Sequence, residues 1–192
     1  MSEKNNIKKR PDIWFVWNAV ALALLALAVL HTIEPYIQPD DPNKPKAMDY
    51  AAGIRLVEAS EVPQLLKSDK PTLLVVYASW CDTCRKKMPH IVQLVRDGRL
   101  DHVNTVFLSL DKSAMQLAQY LLRTDIYRDI GTPYLHDQNL FDSGLVATMK
   151  TTGSQFKGAI PFTELFSPEG RALAFIPHYV GNDALVKATG GE

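Results

Sequence analysis

The most apolar segment of the chain lies close to its N-terminus. The stretch from Ile13 to Leu30 has 18 residues, no charged side chain and a single amide, Asn18. A helix needs about 20 apolar residues to cross a bilayer core of about 30 Å, and inside that core it satisfies its own backbone polar groups. The next three residues extend the stretch, so the pattern predicts a transmembrane helix over residues 13–33.

The charged residues beside this segment predict its orientation. Four cations stand within residues 4–10, whereas no Lys or Arg follows the segment until Lys44. Cytoplasmic flanks are rich in Lys and Arg, so residues 1–12 are expected in the cytoplasm and the rest of the chain beyond the membrane. A cleaved signal peptide is the alternative, because Ala26-Leu27-Ala28 resembles a small-x-small cleavage site.

A proline-rich segment follows the apolar helix. Residues 34–48 carry prolines at positions 35, 39, 42 and 45. Proline disfavours helix and favours the extended polyproline conformation, which advances about 3.1 Å per residue. The segment is therefore expected to be a linker that holds the next domain away from the membrane, and a loop packed against that domain is the alternative.

Residues 49–192 alternate between patterns typical of strands and of helices. Thr72–Ala78 is continuously apolar and β-branched, as expected of a strand buried on both faces, and apolar residues at helical spacing follow over 83–95. Further strands are predicted at 53–57, 102–110, 162–166 and 172–176, and further helices at 59–68, 113–123 and 183–188, with Ser60, Ser113 and Asn182 as N-caps. The alternation predicts an α/β fold with a layered sheet that ends in a β-hairpin and a helix.

Composition and charge narrow the class of protein. The chain has 21 Lys and Arg residues against 21 Asp and Glu residues, and 46% of its 192 residues are hydrophobic. This composition is typical of a folded globular protein and excludes a disordered or collagen-like chain. A neutral chain without a basic stripe also argues against nucleic acid as the main partner.

The two cysteines stand in one short motif, Trp80-Cys81-Asp82-Thr83-Cys84, between the predicted buried strand and the next helix. A helix N-terminus has unpaired N–H groups and a partial positive charge, which stabilise a thiolate, the nucleophile of disulfide exchange. Cysteines at i and i+3 share one face of the first turn. We therefore expect Cys81 to attack, Cys84 to resolve the mixed disulfide, and Trp80 to cover the flank of the pair.

Three other interpretations of this cysteine pair stay open: a metal site, a structural disulfide and a pair of inert buried thiols. A zinc site needs four ligands, and the sequence offers one CxxC with five scattered histidines and no second spaced pair. The sequence therefore predicts a redox pair and no metal site.

Residues 70–90 resemble the active-site segment of thioredoxin-like proteins, including Pro89 in the helix after the cysteines. Residues 158–162, Gly-Ala-Ile-Pro-Phe, resemble the segment that carries the family's cis-proline. The resemblance implies that Pro161 follows a cis peptide bond beside Cys81, and that the backbone of Ile160 binds the substrate chain as an added strand. It also implies a redox-active Cys81–Cys84 disulfide and no bound cofactor.

Within this superfamily the chain is most similar to membrane-anchored proteins of the TlpA/ResA type. These combine an N-terminal anchor with a thioredoxin-like fold, a central mixed sheet flanked by helices, and carry an insert before the cis-proline. The insert is expected to include Tyr127–Lys157. The resemblance implies a thiol-disulfide oxidoreductase of the bacterial inner membrane with its catalytic domain in the periplasm. Protein disulfides or dithiols are then its substrates, and a membrane dithiol protein is its electron donor.

Two features depart from the family pattern. Thioredoxins place a buried carboxylate six residues before the nucleophilic cysteine, where this chain has Val75, so the proton acceptor for Cys84 is absent or comes from elsewhere. Asp82 disfavours a neighbouring thiolate and favours the reducing direction, whereas the cations at 85–87 act the other way. We expect a reductase of protein disulfides. The alternatives are a disulfide oxidase or isomerase and a copper-handling chaperone of thioredoxin fold, although such chaperones use CxxxC.

Overall fold

A computed structural model describes residues 13–33, 43–136, 143–177 and 181–191 of the chain. The chain divides into two compact units, residues 1–44 and residues 45–192. The described part of the first unit is mainly one helix, whereas the second unit contains the sheet and both cysteines. The cysteine motif therefore belongs to the unit with the hydrophobic core.

The helix of the first unit, α1, spans Ile13–Ile33, the bounds that the apolar pattern predicts. Its side chains between residues 17 and 28 are exposed. Within the described part of the chain, no helix qualifies by length and hydropathy as a membrane span. The predicted cytoplasmic segment, residues 1–12, and residues 34–42 of the predicted linker lie outside the described residues.

The second unit is built on a six-stranded mixed sheet in the order β1-β4-β3-β2-β5-β6. The strands β1 to β4 pair in parallel, and β5 and β6 are added antiparallel beside β2. Their bounds are β1 Arg55–Leu56, β2 Thr72–Tyr77, β3 Asn104–Ser109, β4 Tyr134–Leu135, β5 Phe162–Phe166 and β6 Ala172–Phe175. The predicted α/β fold with a central mixed sheet and a terminal hairpin is confirmed.

Helices connect and cover the strands. They are α2 Ala47–Ala52, α3 Val62–Leu65, α4 Asp82–Arg96, α5 Ala114–Arg123, α6 Ser143–Thr151 and α7 Asn182–Ala188. The first of these begins within the last residues of the segment predicted as a linker. A short 3₁₀ turn, Ala59–Glu61, precedes α3, so the helix predicted over 59–68 is broken into two shorter pieces.

Of the three predicted helix N-caps, one is found in the structure and two are not. Ser113 caps α5 as predicted, because its hydroxyl accepts a hydrogen bond from the backbone N–H of Gln116. Ser60 as an N-cap is wrong, because Glu58 caps the 3₁₀ turn. The Glu58 side chain accepts a hydrogen bond from the backbone N–H of Glu61, and the Glu61 side chain accepts one from the backbone N–H of Glu58. Asn182 is also wrong as the cap of α7, since the helix already includes it and Gly181 precedes it.

The sheet separates two hydrophobic clusters because side chains of β2 alternate between its faces. All six residues of β2 are buried, as the continuous apolar pattern predicts. One cluster, here called the thiol-side core, includes Leu73, Val75 and Tyr77 of β2, Cys84 and Met88 of α4, and Leu117, Tyr120 and Leu121 of α5. The opposite cluster takes Leu74 and Val76 of β2 with Leu145, Met149 and Phe166.

The predicted insert, 127–157, is described except for residues 137–142. Its described part contributes β4 and α6, and α6 packs against α3.

The terminal hairpin turns through residues 167–170, where Gly170 is buried with φ +81°. A Cβ atom at Gly170 would lie 3.3 Å from the carbonyl oxygen of Pro63, so this turn depends on the absence of a side chain.

Candidate active site

The buried strand β2 delivers the cysteine motif to the start of α4. After Ala78, which is buried, the chain becomes partly exposed at Ser79 and then reaches Trp80, which is 42% exposed. Cys81 is the N-cap residue of α4, and its Sγ accepts a hydrogen bond from the backbone N–H of Cys84 over 3.2 Å. The Cys81 sulfur therefore lies at the N-terminus of α4, where backbone N–H groups lack partners within the helix.

The two sulfurs differ in their environment. Cys81 is partly exposed and Cys84 is fully buried, and both are free thiols. Burial, followed by a hydrogen bond with Cys81, raises the pKa of the Cys84 thiol, and the backbone at Ala78 lowers it in part. Cys84 is therefore held as a protonated thiol at neutral pH, whereas Cys81 is the sulfur that an external partner reaches first.

The segment around Pro161 faces the exposed cysteine. The Ile160–Pro161 peptide bond is cis, which is the geometry that the family resemblance implies. The Cys81 Sγ atom lies 3.9 Å from the carbonyl oxygen of Ile160, a weak S–H···O contact. Cys81 and Ile160 each pack against the hydrophobic clusters on both sides of the sheet. The structure thus brings Cys81, Cys84 and Ile160 together, with Trp80 adjacent in the chain.

A buried carboxylate fixes the chain just before that segment. Glu164 on β5 is 1% exposed and accepts hydrogen bonds from the Ser154 hydroxyl and, over 3.1 Å, from the backbone N–H of Gln155. Phe156, next in the chain, packs its ring 5.0 Å from that of Phe162, centroid to centroid. Because these contacts lie on both sides of Ile160, they position the backbone that meets Cys81.

Charged side chains at the start of α4 compensate one another. Asp82 and Arg85 form an ion pair three residues apart, and both are more than half exposed. The sequence places their charges in opposition near Cys81, and the structure shows that they pair directly. Lys86 is exposed, and burial lowers the pKa of Lys87.

Asp111 is a further buried carboxylate near the motif, and sequence reasoning did not single it out. It lies two residues beyond the end of β3 and is 0% exposed. Its oxygens accept hydrogen bonds from the Ser79 backbone N–H over 3.1 Å, the Ser79 hydroxyl over 2.6 Å and the Ser109 hydroxyl over 2.7 Å. The carboxyl ends of neighbouring parallel strands lie at the same edge of a sheet. An acidic residue just after β3, the strand beside β2, was therefore the sequence signal that pointed to Asp111.

The position of the usual family carboxylate holds Val75, which is 1% exposed in the thiol-side core. Two tyrosines line the same core, Tyr77 on β2 and Tyr120 on α5, with ring centroids 6.4 Å apart. Among the described residues, no group of three or more His, Cys, Asp or Glu side chains is arranged to hold a metal ion.

Comparisons with known proteins agree on the class. The thiol-disulfide oxidoreductase ResA of Oceanobacillus iheyensis is 29% identical over 142 residues, 71% of this chain and 71% of the relative. Thioredoxin of Rhodospirillum rubrum is 29% identical over 109 residues, 57% of this chain and 88% of that protein. The thioredoxin-related protein of Neisseria meningitidis serogroup B shares the fold, with a TM-score of 0.50 at 24% identity, over 64% of this chain and 84% of that one. No family model matches the chain.

The mixed sheet, the CxxC at the strand-to-helix junction and these similarities define a thiol-disulfide oxidoreductase with a thioredoxin-like fold. Within this class, the chain is similar to the thiol-disulfide oxidoreductase ResA.

Proposed function

We propose that this protein is a membrane-anchored reductase of protein disulfides, in which Cys81 attacks and Cys84 resolves. The observation that carries the proposal is the unequal burial of the two sulfurs at the start of α4: Cys81 is reachable and Cys84 is 0% exposed. Cys81 attacks one sulfur of the substrate disulfide and forms a mixed disulfide. Cys84 then attacks Cys81, the substrate leaves with both electrons, and the protein is left with a Cys81–Cys84 disulfide.

Ile160, Pro161 and Trp80 are the proposed substrate-binding residues. The carbonyl oxygen of Ile160 lies 3.9 Å from the attacking sulfur, so a peptide paired with this backbone as an added strand places its own cysteine beside Cys81. The half-exposed indole of Trp80, next to Cys81 in the chain, offers an apolar surface beside the motif. Substrates recognised in this way are extended protein segments that contain a disulfide.

The reducing direction is supported by the state of the buried thiol. A dithiol becomes a strong oxidant when its reduced form is stabilised, chiefly as a thiolate. Burial is the largest effect on the pKa of Cys84 and raises it, so on balance the fold disfavours a thiolate at that position. The carboxylate of Asp82 in the first turn of α4 acts in the same direction, although Arg85 pairs with it. Both features support the reducing direction.

The proposed location is the bacterial inner membrane, with residues 1–12 in the cytoplasm, residues 13–33 as an uncleaved anchor, residues 34–48 as a linker and residues 49–192 in the periplasm. The apolar composition of α1 and the cations before it support this arrangement. An oxidising periplasm does not supply electrons, so a membrane-embedded dithiol protein is the proposed donor.

The redox state of the cysteine pair in intact cells tests the direction. Cells are quenched with acid, free thiols are alkylated with a mass-tagged maleimide, and the shift is measured on a gel. A mostly reduced pair supports a reductase, whereas a mostly oxidised pair overturns that direction. Cys84→Ser should accumulate mixed disulfides with substrates, and Cys81→Ser is the matched control that should accumulate none.

Labelling with a membrane-impermeant maleimide tests the location. In a chain without its own cysteines, Cys81→Ser with Cys84→Ser, a single cysteine is introduced by Ser2→Cys or by Lys187→Cys. Intact spheroplasts should label only the second variant, and lysed cells should label both. Labelling of the first variant in intact spheroplasts would contradict the proposed orientation.

A further inference from the structure

A tight turn, here called the 78–81 turn, joins β2 to α4 and carries Cys81 at its end. The backbone N–H of Cys81 donates to the carbonyl oxygen of Ala78 over 3.2 Å. The carbonyl oxygen of Cys81 then accepts a hydrogen bond from the backbone N–H of Arg85 over 3.0 Å, inside α4. The position of Cys81 is therefore set by this turn on one side and by α4 on the other.

Asp111 holds the 78–81 turn at Ser79. The backbone N–H of Ser79 lies 3.1 Å from each oxygen of the carboxylate, and the Ser79 hydroxyl donates to one of them over 2.6 Å. Both donors of Ser79 are thus bound by one charged acceptor, which is 0% exposed. Hydrogen bonds to a charged group are stronger than neutral ones, so this contact fixes both the backbone and the side chain of Ser79.

The carboxylate of Asp111 is in turn anchored to the sheet. The Ser109 hydroxyl, at the end of β3, donates to the carboxylate over 2.7 Å and accepts from the Asp111 backbone N–H over 3.1 Å. Between these two residues, the backbone N–H of Leu110 donates to the carbonyl oxygen of Tyr77 over 2.8 Å. Because β2 and β3 pair over all six of their residues, Asp111 holds the turn from a fixed position.

The two sulfurs depend on the fold in different ways. Cys84 is 0% exposed and is packed within the thiol-side core. Cys81 is partly exposed, and its Sγ accepts a hydrogen bond from the backbone N–H of Cys84 over 3.2 Å. A disulfide forms only when the two sulfurs meet, and holding a reacting group in place raises its effective concentration. Since packing already fixes Cys84, the 78–81 turn governs how readily the pair closes.

We propose that Asp111 is a positioning residue of the redox pair: through Ser79 it holds Cys81 within reach of Cys84 and so favours the closed disulfide. This role rests on the function proposed above, in which Cys81 attacks and Cys84 resolves. In the resolving step the Cys84–Cys81 bond forms and the bond from Cys81 to the substrate sulfur breaks. That sulfur leaves with the electron pair, Cys84 gives up its proton, and the leaving thiolate takes one up.

Loss of the Asp111 contact should make the protein a weaker reductant. Without that contact the reduced pair gains freedom, whereas the cross-linked pair does not, so the equilibrium shifts towards the dithiol. Asp111→Asn keeps the shape of the side chain but removes the charge and replaces one acceptor oxygen with a donor. A charged hydrogen bond exceeds a neutral one by about tenfold in an equilibrium constant. The constant for disulfide formation should therefore fall about tenfold, a rise of about 30 mV in reduction potential.

The equilibrium with glutathione measures this change. Two electrons and two protons pass from Cys81 and Cys84 to glutathione disulfide, which leaves two molecules of glutathione and the Cys81–Cys84 disulfide. Samples at a series of glutathione ratios are quenched with acid and alkylated with a mass-tagged maleimide. Ser79→Ala loses the hydroxyl contact but keeps the backbone N–H, so its constant should fall less than that of Asp111→Asn. Ser79→Thr keeps a hydroxyl and should restore the constant.

Gly170→Ala is the matched control for a loss of stability alone. Gly170 lies in the turn after β5, near the start of β2, because Phe166 pairs with Thr72. The new Cβ would lie 3.3 Å from a backbone oxygen, yet the glutathione equilibrium should not change. An unchanged constant in Asp111→Asn, or an equal fall in Gly170→Ala, overturns the positioning role. If Asp111→Asn does not fold, the absence of a fall in Ser79→Ala overturns it.

Glutathione adducts test the roles of the two cysteines separately. After treatment with glutathione disulfide, Cys84→Ser should carry a stable adduct at Cys81, and Cys81→Ser should carry none. An adduct on Cys81→Ser alone overturns the assignment of attacking and resolving thiols, and with it the proposed function. An adduct on Cys84→Ser together with an unchanged constant in Asp111→Asn overturns only the role of Asp111, so the two failures are distinguishable.

Discussion

Glu164→Gln tests whether a buried carboxylate holds the chain segment before Ile160. Glu164 accepts two hydrogen bonds, from the Ser154 hydroxyl and the Gln155 backbone. The amide of Gln keeps one acceptor oxygen but turns an N–H₂ group towards the second donor. Hydrogen bonds to a charged group contribute about 1.5–3 kcal/mol each, so the variant should lose about 1.5–3 kcal/mol of unfolding free energy. For a chain of this length, that is a fall of roughly 3–12 °C in Tm.

Urea unfolding followed by far-UV circular dichroism measures the loss, and the chain offers a matched control. Gln155→Ala removes an exposed side chain and keeps the backbone N–H that Glu164 binds, so it should change the unfolding free energy by less than about 0.5 kcal/mol. A double-mutant cycle with Ser154→Ala isolates the hydroxyl–carboxylate pair. If Glu164→Gln costs no more than Gln155→Ala, or if its effect and that of Ser154→Ala are additive, the reasoning is refuted.

Three other predictions concern stability and use the same urea assay. Ser113→Ala removes the side-chain cap of α5 and should cost about 0.5–2 kcal/mol; no loss would contradict the cap. Gly170→Ala should cost more than Gly190→Ala: both glycines have positive φ, but only at Gly170 would the new Cβ meet neighbouring atoms, and equal losses would contradict this. The reduced protein should lose stability above about pH 9, because folding raises the pKa of Cys84, Tyr77 and Tyr120. The unfolded chain then gives up these protons first, so this stabilisation is complete below the ordinary thiol pKa of 9.0 and is lost as pH rises towards the folded values. The slope should reach about 1.4 kcal/mol per pH unit for each titrating group and be shallower in Cys84→Ala; a flat profile would contradict the shifts.

The sequence predicts the elements whose signals are local. The continuous apolar pattern of Thr72–Ala78 corresponds to β2 within one residue, and Ser113 caps the helix that its position indicates. The cap at Ser60 fails because Glu58, two residues earlier, is also an acceptor and has Glu61 in register to complete a capping box. A choice between neighbouring caps depends on the path of the incoming chain, which the local sequence does not contain.

In the candidate site, too, some features are readable from the sequence and others appear only in the folded structure. The cysteine spacing and its place at a strand-to-helix junction are readable from sequence, and so is the Gly-Ala-Ile-Pro-Phe segment. Asp111 and Glu164 become informative only when the sheet brings each to its partners, Ser79 lying 32 residues from Asp111. In the sequence, Tyr77 and Tyr120 stand in apolar stretches and look like ordinary core residues. Their unpaired hydroxyls become visible only once β2 and α5 pack together.

The unequal exposure of the two sulfurs also bears on damage by peroxide. An oxidant that enters from solvent meets Cys81 first and converts it to a sulfenic acid, because Cys84 is fully buried. The Cys84 thiol, one helical turn away, then condenses with that sulfenic acid to give the disulfide and one molecule of water. This step forestalls the sulfinic and sulfonic acids, of which the sulfonic acid is irreversible and the sulfinic acid nearly so. The buried thiol therefore also protects Cys81: oxidation by peroxide ends in a disulfide, which a dithiol can reduce again.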